Sequence, residues 1–224
     1  MRSPRGSELL LVAALSGCTL LPQQPVAAPV RQSPAAAGRA LDLLAGLRVQ
    51  GRGPLTGYDR AAFGQPWADA DRNGCDTRND VLRRDLTGVV LKPGTHGCVV
   101  LSGVLHDPYT GATVPHRRGG GQVEIDHVVA LADAWQKGAA RWPWQERVAL
   151  ANDPLELLAT STTVNRAKSS GDAATWLPPL HAARCAFAAR QVAVKAKYRL
   201  GVTAAEEGAL AGLLRRCPEQ PVPT

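Results

Sequence analysis

Five cysteines set the strongest constraint on this 224-residue chain. Cys18 stands apart from Cys75, Cys98, Cys185 and Cys217, and what precedes it reads as an export signal. Arg2 and Arg5 lead into an apolar stretch from Leu9 to Leu15, which ends in Ser16-Gly17-Cys18. That order looks like a bacterial lipoprotein signal, in which residues 1–17 are removed and Cys18 becomes the acylated N-terminus. The competing readings are a plain secretory signal cut near Ala27 and Ala28, or a buried segment that is never cut. Export places the remaining four cysteines in an oxidising compartment, where an even set forms two disulfides.

Four cysteines allow three pairings, and local structure selects one. Residues 181–200 read as a helix, with Phe187, Val194 and Tyr198 on one face and Gly201 suited to end it. Thr203 with Glu206 forms a capping-box pattern, followed by Leu210, Leu213, Leu214 and Cys217 at helical spacing. A short link makes the two helices antiparallel. The 15 residues from Cys185 to the turn and the 14 back to Cys217 rise about 1.5 Å each, so both sulfurs sit at one end. Cys185 therefore pairs with Cys217, and Cys75 with Cys98 by elimination. A zinc site competes for these thiols, but the chain has no Cys-x-x-Cys pair.

Residues 18–52 read as a tether. Positions 19–38 are rich in Pro, Ala and Gln and nearly uncharged, and Gly51-Arg52-Gly53-Pro54 breaks a short amphipathic turn at Leu41–Leu47. The folded domain is expected over 53–217, with 218–224 as a frayed tail. Within it, Asn79–Leu86 suits a short helix, Gly97–Leu105 a strand, and Asp107-Pro108-Tyr109-Thr110-Gly111 a turn. Gln122–Val129 is strand-like, Leu131–Ala139 helical and Leu155–Ala159 a second short strand, and another helix begins near Thr162. There is no internal repeat. A hydrophobic content of 45% supports a buried core, and no apolar run approaches the roughly 18 residues needed to cross a bilayer. The net charge of +7 becomes +6 once Arg2, Arg5 and Glu8 are removed. That excess suits an anionic partner, nucleic acid or a membrane surface, although an arginine-rich composition produces it without one.

Two polar segments carry candidate chemistry. Asp126-His127 closes a strand on which Val123 and Ile125 alternate, so the two side chains face opposite ways unless the strand ends or bulges there. Asn165-Arg166-Ala167-Lys168-Ser169 sets a carboxamide between two cations at a helix start. Singly, each has a plain structural reading: a surface pair or satisfied histidine, and a capped, solvated helix face. Together, Ile125-Asp126-His127-Val128 and Asn165-Arg166-Ala167-Lys168-Ser169 resemble the HNH nuclease superfamily, including the HNH domain of RNA-guided CRISPR nucleases. From Gly57 to Cys217 the chain is similar to an exported bacterial HNH family related to the C-terminal region of GmrSD-type restriction enzymes. Tyr58-Asp59-Arg60, Asn73-Gly74-Cys75-Asp76-Thr77-Arg78, the Asp107–Gly111 turn, Asp133-Ala134-Trp135, Asn152-Asp153-Pro154-Leu155 and Trp176-Leu177-Pro178 carry that likeness.

The resemblance implies an α+β fold, a ββα-metal core embedded in a mostly helical, disulfide-braced domain. It makes His127 the general base and gives Asp126 and Asn165 one divalent cation to hold, Mg²⁺ or Mn²⁺ given hard oxygen ligands. Lys168 and Arg166 would contact phosphate. Glu156 stands where many HNH sequences have an Asn that braces the histidine loop, with Asn152 as an alternative brace. Arg78 reads equally as a phosphate contact or a helix-surface residue. His96, His106, His116 and His181 lack ligand spacing, and Trp135, Trp142, Trp144 and Trp176 read as packing residues. No Gly-x-Ser-x-Gly, His-Glu-x-x-His or Gly-x-x-x-x-Gly-Lys motif is present. The implied function is an exported, metal-dependent endonuclease of low sequence specificity that acts on DNA, with RNA as a second substrate class left open. It meets the membrane only through its lipid anchor and needs no obligate protein partner. The alternatives are a catalytically weakened HNH-fold module that binds nucleic acid or another polyanion, and an envelope protein whose charge serves only to approach lipid.

Overall fold

The computed structural model describes residues 39–224, so the signal, Cys18 and positions 19–38 lie outside the described residues. In chain order the first elements are α1 (Ala40–Ala45), α2 (Thr77–Asp85), β1 (Leu86–Leu91), β2 (Val100–His106), β3 (Thr113–Arg117) and β4 (Val123–His127). There follow α3 (Leu131–Gln136), α4 (Trp144–Ala151), β5 (Leu157–Ser161), α5 (Thr162–Lys168), α6 (Arg184–Lys197) and α7 (Ala204–Leu214). The architecture is mixed: seven α-helices and two small antiparallel sheets among the described residues, with strand orders β1-β2-β3 and β4-β5.

The Asp76 side chain accepts the Asn79 amide at 2.8 Å and so starts α2, which buries Val81 and Leu82. Asn79 in turn accepts the Val100 amide at 2.9 Å, fixing α2 against β2. Val81, Leu82, Leu86, Val100 and Leu105 then share one apolar cluster with Val123, Ile125 and Leu157, which joins the two sheets. Sequence patterning passes over β3 because it carries Pro115. As an edge strand, β3 tolerates that residue. Both disulfides, Cys75–Cys98 and Cys185–Cys217, pair as expected.

Two expected boundaries are corrected. Leu44 of α1 packs in the cluster that also holds Val192 of α6 and Leu210 and Leu214 of α7, so part of the expected tether is core. The expected tail is held as well: Gln220 accepts the Ala40 amide at 3.2 Å, and Val222 packs against two clusters. Apolar side chains at Leu44 and Val222 bury surface there, which a free linker or a frayed end would leave in water.

At the C-terminal end, Thr203 caps α7 by accepting the Glu206 amide at 3.2 Å. Glu206 does not complete the capping box. Its carboxylate turns inward to Lys137 at 2.5 Å and Lys195 at 3.0 Å. Lys137 also meets Asp133 at 2.7 Å and Asp172 at 2.9 Å, Lys195 meets Asp133 at 3.2 Å, and Arg52 reaches Asp172 at 2.6 Å. Three cations balance three carboxylates, and only Arg52 is exposed to any degree.

Candidate active site

β4, β5 and α5 build the site. Asp126 pairs with Leu158 and His127 with Leu157 across the two strands, and α5 follows β5 directly. Successive residues of β4 face opposite sides, so Asp126 turns toward α5 and His127 toward the end of α4. Both are buried.

His127 Nε2 lies 3.1 Å from the Ala151 carbonyl at the C-terminus of α4. A carbonyl only accepts, so Nε2 carries the proton and Nδ1 presents the lone pair. Nδ1 makes no hydrogen bond among the described residues and is not sealed from solvent. Burial, reinforced by the nearby Arg60 charge, holds the imidazole pKa down to about 3, so the ring is neutral at ordinary pH. The Trp67 indole lies nearly parallel to the imidazole, with centroids 6.1 Å apart.

Asp126 receives the Tyr109 hydroxyl at 2.8 Å on one carboxylate oxygen and the Lys168 ammonium at 2.8 Å on the other. Burial pushes the Asp126 pKa up, while Lys168 and Tyr109 pull part of the way back. Lys168, expected as a phosphate contact, thus has its ammonium on Asp126. Its side chain is fully buried and also donates to the His127 carbonyl at 2.7 Å, because α5 packs its last turn onto β4. Asn165 donates Nδ2 to Glu124 at 2.8 Å, which leaves its carbonyl oxygen as the remaining acceptor, and the exposed Arg166 sits 3.5 Å from the same carboxylate. Asp126, His127 and Asn165 line one polar cavity of about 280 Å³ together with Tyr58 and Arg60.

Glu156 holds the turn that follows His127. Its backbone carbonyl accepts the Val128 amide at 2.8 Å and its carboxyl group accepts the Val129 amide at 3.0 Å. Burial pushes its pKa well above the usual carboxylate range. Asn152 makes no such contact. Its Nδ2 donates to Val148 within α4, so the alternative brace is corrected. Gln191 of α6 supports the turn instead, donating to the Val128 carbonyl.

Residues 76–213 match the family of GmrSD restriction endonuclease C-terminal domains. The chain belongs to that family. An "Uncharacterized secreted protein" of Arthroderma benhamiae is 38% identical over 208 residues, which covers 92% of this chain and 98% of that protein. No solved structure matches. Membership of the GmrSD C-terminal family points to nuclease-related chemistry.

Asp126 and Asn165 line one cavity, and a carboxylate with an amide carbonyl is the hard-oxygen donor chemistry that suits a cation of the Mg²⁺ class. They do so in company with Lys168, and no group of three or more His, Cys, Asp or Glu among the described residues is set to hold a metal. Three residues in this GmrSD-type site escaped the sequence reading: Tyr109, Arg60 and Trp67. The first two sit inside motifs that carry the family likeness. Trp67 has no such signal, because its role depends on a loop folding across β4.

Proposed function

We propose that this chain is an exported, metal-dependent endonuclease that hydrolyses phosphodiester bonds of DNA, and RNA where it meets it, with little sequence preference. One observation carries the reading: His127, with Nε2 held by a carbonyl and Nδ1 open, shares a cavity with Asp126 and Asn165. His127 Nδ1 takes a proton from water as the water oxygen bonds to phosphorus and the bond from phosphorus to the 3′ oxygen breaks. The Ala151 carbonyl stabilises the positive charge that develops on the ring, and an anionic phosphate beside Arg60 draws the imidazole toward a stronger base. Asp126 and Asn165 would hold one Mg²⁺ or Mn²⁺, whose charge, when bound, neutralises the phosphate and the departing oxygen. Lys168 keeps the Asp126 carboxylate and the His127 backbone in one orientation. Burial favours the neutral form of Glu156, which, like the Asn amide that many HNH sequences have there, can both donate and accept a hydrogen bond. Arg166 is exposed and offers charge to the phosphate backbone.

Export rests on the leader pattern and on the secreted description of the relative. No helix among the described residues is long and apolar enough to cross a membrane. The test is plasmid cleavage by the oxidised chain with Mg²⁺ or Mn²⁺. His127→Ala should lower the rate by about two to four orders of magnitude. Equal rates for the wild type and this variant would refute catalysis. The buried ammonium on Asp126 favours one second reading, a weakened module that binds nucleic acid without turnover. Salt-sensitive binding with no cleavage would establish it.

A further inference from the structure

His127 separates two cavities of opposite character. On one side lies the polar cavity of Asp126 and Asn165. On the other is an apolar cavity of about 240 Å³ walled by Phe63, Pro66, Trp67 and Leu131. Arg60, His127 and Leu131 line both, so the two cavities adjoin at the imidazole.

The geometry points to the apolar cavity as the seat of a nucleobase from an unpaired nucleotide beside the scissile phosphate. This deepens the nuclease reading and rests on it. A phosphate in the polar cavity sets a flanking nucleoside within reach of the apolar side, across His127. Trp67 supplies the flat face that base stacking requires. Its ring is only partly buried and nearly parallel to His127, and its backbone sits at φ +60°, a conformation bulky residues rarely adopt. The same loop approaches α4 closely at Gly64, where a Cβ would fall 2.6 Å from Val148. Asn152, 2% exposed, adds a polar side chain to the wall of the same cavity.

A base stacked in a duplex cannot enter such a cavity without leaving its neighbours. Single strands and unpaired segments are therefore the preferred substrates, and duplexes are cut where they open.

The test is equilibrium binding by fluorescence anisotropy with the full chain in EDTA, so that no cleavage occurs. The probes are a labelled single-stranded oligonucleotide and an all-abasic oligomer of equal length and charge. Trp67→Ala should weaken binding of the ordinary strand about tenfold and leave the abasic oligomer unchanged, with Trp67→Phe close to wild type. Equal affinity of the wild type for both probes, or equal loss on both in Trp67→Ala, overturns the base cavity. A matching far-ultraviolet spectrum and melting temperature show that the variant is folded. Cleavage with Mg²⁺ is scored separately: base-dependent binding without cleavage keeps this inference and sinks the nuclease reading.

Discussion

At the scale of single residues, Glu156 and Asp107 show how burial and hydrogen bonding move a carboxyl group in opposite directions. Glu156 is pushed toward its neutral form and spends one oxygen on the Val129 amide. Glu156→Gln keeps that acceptor and the shape, so its stability should stay within about 1 kcal/mol of wild type at neutral pH. Glu156→Ala strands a buried N–H and should cost about 1–3 kcal/mol. Urea titration of both variants separates the two outcomes, and an equal loss in both would mean that the charged form is the one that counts. Asp107 is also subject to burial, which raises its pKa, but bonds from Ser161, the Tyr109 amide and Thr160 outweigh it and leave the group below its usual range. The unfolded chain then binds the proton more readily than the folded one, so this contribution is present above pH ~4 and is lost as pH falls through the folded value. Melts of Asp107→Asn should show a flatter decline below pH 4 than the wild type. A parallel decline would remove Asp107 from acid unfolding.

At the scale of elements, the helix pair shows what a sequence can disclose. Apolar spacing and the Thr203 cap are local signals, and they yield α6, α7 and the Cys185–Cys217 bond without any tertiary information, although α6 ends at Lys197 and not at the expected Gly201 stop. With a sequence separation of 32 between the two cysteines, removing the bridge by Cys185→Ala with Cys217→Ala should cost about 3–4 kcal/mol on the chain-entropy account, read as a lower denaturation midpoint. A midpoint within error of wild type would mean that α6 and α7 hold together by packing alone. β4 and the Asp107–Gly111 turn were legible for the same reason. Elements defined by what they pack against were not. β1 is short and broken by Gly88, β3 carries Pro115, and α4 follows Pro143, whose helix shows no side-chain cap. The same division runs through the site. Asp126, His127 and Asn165 could be named from their motifs, yet the burial of Lys168 depends on how α5 lies across β4, and no spacing rule encodes that.

At the scale of the whole molecule, the buried network around Lys137 ties together segments that are remote in sequence. It joins Arg52 from the expected tether, Asp133 of α3, Asp172 after α5, Lys195 of α6 and Glu206 of α7. In the chain α3 follows β4 and the Asp172 segment follows α5, so the network anchors the segments that leave the candidate site. A buried ion pair adds little against an apolar replacement of the whole set, but removing one partner leaves an uncompensated charge. Lys137→Met deletes one of three cations and leaves three carboxylates facing Lys195 and Arg52. We expect a loss of about 3–5 kcal/mol in urea denaturation. Adding Glu206→Gln to Lys137→Met removes the excess negative charge, so the double variant should be more stable than the sum of the two single losses. Simple additivity, or a loss below about 1 kcal/mol in Lys137→Met, would show that water reaches these groups in solution and that the α6–α7 pair and apolar packing alone hold the site strands in place.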